Sequence, residues 1–245
     1  MGRLVVKVLV ALLAAGVFGL LGLQARGVIS LARYQVATMV VVAAVLAAGS
    51  SAAAAVGEWR HRRDAAHAAD TEVLLAATLW AIVDLVRLDY RDLGLAVYRV
   101  GRERAPPWRR RLVRVHRVRA RRRPAASGVR WAPGKGVIGA CVARGQVVAQ
   151  DLRAAYAAMG TVTRAEWDVL PADVRLGLSF DELLDVRDKY DVVVATPVID
   201  DSGDRSRIVG CVALDGPAGT LDDLGGDDVL GLLDSAGQTL LRQGL

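Results

Sequence analysis

The sequence predicts an α+β protein: a sheet flanked by helices, preceded by a two-helix transmembrane hairpin. Three observations predict it. Residues 191–217, DVVVATPVIDDSGDRSRIVGCVALDGP, hold two apolar, β-branched runs joined by Asp200, Asp201, Ser202, Gly203 and Asp204, all turn formers. Residues 8–23 and 36–56 carry no charged side chain. Residues 57–88 combine strong helix formers, no proline and apolar stripes at helical spacing.

The uncharged runs come first. A helix of about 20 residues rises roughly 30 Å, the thickness of a hydrocarbon core. Spans are therefore expected at about residues 4–23 and 36–56, within a segment 1–56. The intervening QARGVISLARYQ is long enough only for a turn. Ala15, Gly19 and Gly22 in the first span, with Ala43, Ala47, Gly49 and Ala53 in the second, offer small faces for helix contact. Arg3 and Lys7 before the first span and Arg60, Arg62 and Arg63 after the second outweigh Arg26 and Arg33 between them. The positive-inside rule then puts both termini in the cytoplasm, and the chain in the inner membrane as a multi-pass protein with the lipid bilayer as partner. A signal peptide cleaved near Ala25 is the competing reading.

Residues 57–90 form the expected connector helix. Leu75, Leu79, Ile82 and Val86 make one stripe, and Ala69, Val73, Ala76, Trp80 and Val83 a second. One stripe docks a helix on a sheet; two suggest a second partner, here the same helix of a second subunit.

Charge is split along the chain. Residues 1–123 carry 21 basic and 8 acidic side chains, net +13, and residues 124–245 carry 11 and 18, net −7, which together give the formal +6. Two strands are expected at residues 93–100 and 112–118, with a dense run of arginines between and after them. Their position behind a span, the lack of interleaved aromatics apart from Trp108, and the acidic second half favour lipid headgroups or an acidic partner over nucleic acid. Cys141 and Cys211 both sit among apolar residues, which points to buried free thiols rather than a disulfide framework.

Residues 131–152, WAPGKGVIGACVARGQVVAQDL, read as a glycine turn, a short apolar helix, a second glycine turn and a strand ending in Asp151. The spacing of a phosphate-binding loop is absent. Thr163 with Glu166, and Ser179 with Glu182, have capping-box spacing and start two helices. A last helix begins near Asp227 and Asp228 and buries Val229, Leu232, Leu233, Ala236 and Leu240.

The order of these elements resembles the GAF domain family. The matching features are Gly134, Gly136, Gly139 and Gly145, then Asp151, Pro197, Gly210 and Asp215, over roughly residues 70–243. The resemblance implies an antiparallel sheet of about six strands over residues 91–245, dimerising through its first and last helices. It also implies a pocket for a small molecule near Trp131, Cys141, Asp151, Pro197 and Cys211. Family ligands include cyclic nucleotides, bilins, haem and amino acids, and no residue here selects among them, so the cofactor stays unknown. His61, His67 and His116 lie on the connector or the basic strand and read as surface residues.

The sequence is thus read as a membrane-anchored cytoplasmic sensory or regulatory module without enzymatic activity, acting through an unknown protein partner or by dimerisation. A ligand-free scaffold is one alternative. A thiol-dependent enzyme like the free methionine sulfoxide reductases of the same family is another, resting on Cys141 early in a helix. No catalytic triad, metal-ligand spacing or acid/base carboxylate pair stands out.

Overall fold

The structure is a computed structural model that describes residues 15–16, 19, 22–23, 25–27, 32–102, 109–121 and 127–245. It separates into two compact units, Met1–Ala66 and His67–Leu245. Trp108, Arg104, Arg122 and Arg123, and most of the run expected as a first span, lie outside the described residues.

The transmembrane hairpin is corrected. Residues 36–56 belong to helix α1, Arg33–Val86, and among the described residues no helix is long and apolar enough to cross a membrane. Lack of charge by itself does not set how much apolar side-chain area a helix turn presents. Nine of those 21 positions are alanine, and glycine, serine and threonine take four more, so each turn offers little side-chain area to lipid. The multi-pass inner-membrane location built on those spans is set aside with them.

The second unit is an α+β domain. After α1, a short 3-10 turn at Tyr90–Asp92 leads into β1 (Gly94–Arg102) and β2 (Arg110–Arg119). Helix α2 (Gly136–Arg144) and strand β3 (Val148–Asp151) follow. Three short helices come next: α3 (Leu152–Met159), α4 (Arg164–Val169) and α5 (Phe180–Val186). The hairpin β4 (Val192–Asp200) and β5 (Arg207–Gly216) precedes α6 (Leu221–Leu224) and α7 (Asp227–Gln243). Both capping boxes form, on α4 and α5, each tying two otherwise unpaired N–H groups.

The five described strands pair antiparallel in the order β2-β1-β5-β4-β3. The expected hairpin sits at the centre of this sheet. Its two strands alternate between faces, and each face is covered, which is why their sequence reads as nearly continuous apolar runs. On one face Leu95, Val97, Val194, Val198, Val212 and Leu214 pack beneath α1 and α7. Leu75, Leu79 and Ile82 of the first α1 stripe are fully buried there, while Val73 and Trp80 of the second are exposed. Trp80 stacks on Tyr90, ring centroids 4.4 Å apart.

On the other face the sheet presents smaller residues, Ala96, Ala195, Cys211 and Ala213, against Val137, Ile138, Cys141 and Val142 of α2. Beside it, Val129, Trp167, Leu178, Leu183 and Val186 form a separate small core under α4 and α5. The Trp167 indole N–H, buried with its ring, donates to the Leu178 carbonyl at 3.1 Å and fixes that cap.

Candidate functional site

Small residues opposite large ones leave a gap. Between the sheet, α2 and the α3–α5 cap lies a cavity of about 60 Å³. Its floor is Ala96, Tyr98, Val193, Ala213 and Asp215 of the sheet, and its walls include Trp131, Val137, Ile138, Tyr156, Leu176 and Tyr190. Trp131 is held against the backbone of Gly136, whose φ is +64° and where a Cβ would lie 2.5 Å from the ring. Only glycine permits that approach.

The cap is pinned to α2. The Gly136 N–H donates to the Leu176 carbonyl at 2.7 Å, with Leu176 itself at φ +48°, a conformation non-glycine residues rarely adopt. The Lys135 ammonium just before α2 bonds the Glu182 carboxylate at 2.8 Å, joining α2 to α5. Glu182 is held below its ordinary pKa: burial alone would raise it, but Lys135 and the Ser179 N–H it accepts from outweigh that.

The charged groups come from the sheet. Asp215 of β5 stands in register with Gly94 of β1, which in turn pairs with Arg119 of β2. Gly94 has no side chain, and a Cβ there would meet the Asp215 carboxylate at 2.6 Å. The space left lets Arg119 reach across to Asp215 at 2.6 Å, both side chains about nine-tenths buried. Burial pushes the Asp215 carboxyl up to about 6, and Arg119 and Arg117 hold it from rising further. Arg117 also lines the cavity. Burial raises all three tyrosines that line it, with Tyr156 pushed up to about 12.

Of the five residues expected to line a pocket, Trp131 is on the wall. Cys141 and Cys211 lie one layer beneath, both fully buried, with the Cys211 thiol 3.9 Å from the Ile138 carbonyl. Burial pushes Cys141 up to about 12, and Cys211 rises well above the ordinary thiol value, first from burial and then from Cys141 beside it. Asp151 caps α3, accepting the Ala154 N–H at 2.8 Å. Pro197 sits on β4 in register with Cys211. Sequence reading missed Arg117, Tyr98, Tyr156 and Tyr190 as a group, because they come from two strands, a helix and a loop whose proximity only the tertiary fold creates. Asp215 was noticed, but only as a mark of resemblance.

No family model and no curated protein matches the chain. Among solved structures it is similar to the free methionine-R-sulfoxide reductase of Neisseria meningitidis in complex with its substrate. That match has 16% identity over 75% of this chain and 87% of that one, with a TM-score of 0.36. It is also similar to the reduced form of the fRMsr of Staphylococcus aureus, at 14% identity over 71% of this chain and 94% of that one, TM-score 0.38. Likeness at this level concerns the fold alone. Both of these are reductases, whereas the sequence was read as a module without enzymatic activity. With no membrane-crossing helix among the described residues, the expectation of a membrane-anchored, non-enzymatic sensory module is withdrawn.

Proposed function

We propose that the domain binds a compact molecule of free-amino-acid size in the cavity between Trp131 and the alanines of the sheet. The observation that carries this is the cavity itself: mostly apolar, yet with Arg117 and the Arg119–Asp215 pair set into its edge. Buried charge is costly where nothing uses it, and a pocket with a few convergent polar groups is the ordinary form of a small-ligand site. Its volume of about 60 Å³ corresponds to roughly four to six water positions. That is too small for a tetrapyrrole or a cyclic nucleotide. Thermal denaturation of the chain with single amino acids, methionine, methionine sulfoxide and the simple acid 4-methylpentanoate tests the proposal. A bound ligand at a hundredfold its Kd raises stability by about 2.7 kcal/mol; no shift with any of them overturns it.

Thiol-dependent reduction of a bound sulfoxide is the second reading. It is favoured by Cys141 and Cys211 standing close enough to couple, with Cys141 on the helix whose first turn walls the cavity. In such a reaction one thiolate attacks the sulfoxide sulfur and the oxygen leaves as water after taking two protons. The second thiol then forms the disulfide and releases the sulfide, and an external dithiol resets the pair. Both thiols are buried and held protonated, so the step requires α2 to open. Turnover of free methionine sulfoxide with dithiothreitol, lost in Cys141→Ser, supports it. Resistance of both thiols to a disulfide-exchange reagent at pH 8 until the chain is unfolded, with no turnover, sinks it and leaves the binding site standing.

A further inference from the structure

We propose that the ligand is a small organic acid whose carboxylate is held by Arg117 and Arg114 of β2 while its apolar body fills the cavity. This rests on the binding site proposed above and names the class of molecule it takes.

The register of β2 carries it. Ala96 and Tyr98 of β1 both point to the cavity side of the sheet. Arg117 lies opposite Ala96, and in a regular ladder Val115 would lie opposite Tyr98. The pairing slips between Val97 and Tyr98, so that Arg114 takes that place. A bulge re-aims side chains and recurs beside binding sites. Here it puts a cation, the exposed Arg114, in place of Val115 on the face of β2 that Tyr98 and Arg117 share. Arg114 is near enough to Tyr98 and Tyr190, both cavity residues, for its charge to favour their ionised forms.

The local charge fixes the sign of the ligand. Among the described residues Asp215 is the one acid lining the cavity, and Arg119 pairs with it at 2.6 Å. Counting Asp215 against Arg117 and Arg119 leaves a net +1 beside an apolar space, with the exposed Arg114 on the same face of β2. A ligand ammonium would meet repulsion there. A carboxylate meets planar guanidinium groups whose paired N–H donors match its two oxygens, in a setting that weakens competition from water.

The test is an NMR titration of the full chain with four probes of one shape: 4-methylpentanoate, 4-methylpentanamide, isopentylamine and isopentyl phosphate. The acid is expected to bind at least tenfold tighter than the amide and the amine, and tighter than the phosphate, with affinity falling as salt is added. Arg117→Met and Arg114→Met each erase the preference for acid over amide, and Arg117→Lys restores part of it. Arg110→Met, on the same strand but engaged with the Ile208 carbonyl, leaves the preference intact. Equal binding of acid and amide, preference for the amine or the phosphate, or an unchanged preference in both the Arg117→Met and Arg114→Met chains overturns the assignment and spares the cavity as a site. Absence of binding by all four and by the amino-acid panel removes the site and this assignment together.

Discussion

The two faces of the one sheet are made by alternate residues of the same strands, yet they are packed to opposite ends. Towards α1 and α7 the strands present Leu95, Val97, Val194, Val212 and Leu214, and helices carrying Leu75, Leu79, Ile82, Leu233 and Leu240 close over them. Large aliphatic groups interdigitate there and bury the sheet. Towards α2 the same strands present Ala96, Ala195 and Ala213, the covering layer supplies rings, and the charges of Arg117 and Asp215 come from the sheet itself. One face stores stability; the other gives some of it up to keep a space.

The largest test of that contrast is a truncation on the filled face. Leu79→Ala removes a fully buried side chain between helix and sheet and is expected to cost about 2–5 kcal/mol in urea unfolding. A loss below about 1 kcal/mol would mean the face is not closely packed.

Next comes the buried acid on the other face. Asp215 is raised to about 6, against about 3.9 for an unfolded aspartate, so the folded chain holds its proton more tightly. Its contribution to stability is full below about pH 4 and is lost as pH rises through 6, by about 3 kcal/mol at most. Asp215→Asn removes this dependence. The wild-type minus variant stability, from denaturation between pH 4 and 7, is expected to fall across that window, and the lowered Glu182 and Asp185 cancel because both chains share them. A flat difference would place the carboxylate in water.

Ala213→Val adds two methyl groups where space exists. It is expected to cost less than about 1.5 kcal/mol while weakening ligand binding at least tenfold. A stability loss as large as that of Leu79→Ala would abolish the distinction between the faces.

The smallest effect belongs to the latch. The Lys135–Glu182 pair is about three-quarters buried, and Glu182→Gln is expected to cost roughly 1 kcal/mol or less overall. The informative readout is local. Amide exchange over residues 176–190 should quicken while the strands stay protected.

Much of the domain was legible because its signals are local. The β4–β5 hairpin is announced by two β-branched runs about a polar turn, and the α4 and α5 starts by side chains that satisfy their own first-turn N–H groups. Leu75, Leu79 and Ile82 gave the docking face of α1 from spacing alone. The expected spans failed for the converse reason: an uncharged run constrains little when alanine is its commonest residue. The two thiols, read as buried and free from their apolar sequence neighbours, are both free and fully buried.

By itself the sequence determined which segments form strands and helices and which faces they bury, because propensity, capping and periodicity act within a few residues. Tertiary structure alone decided the site. Arg117, Trp131, Tyr190 and Asp215 are as much as 98 residues apart, and only the strand order and the packing of the cap bring them to one cavity, while a one-residue slip in β2 turns Arg114 to the same face. The slip is a compromise between hydrogen-bond register and side-chain packing across two strands, so no single stretch of chain encodes it.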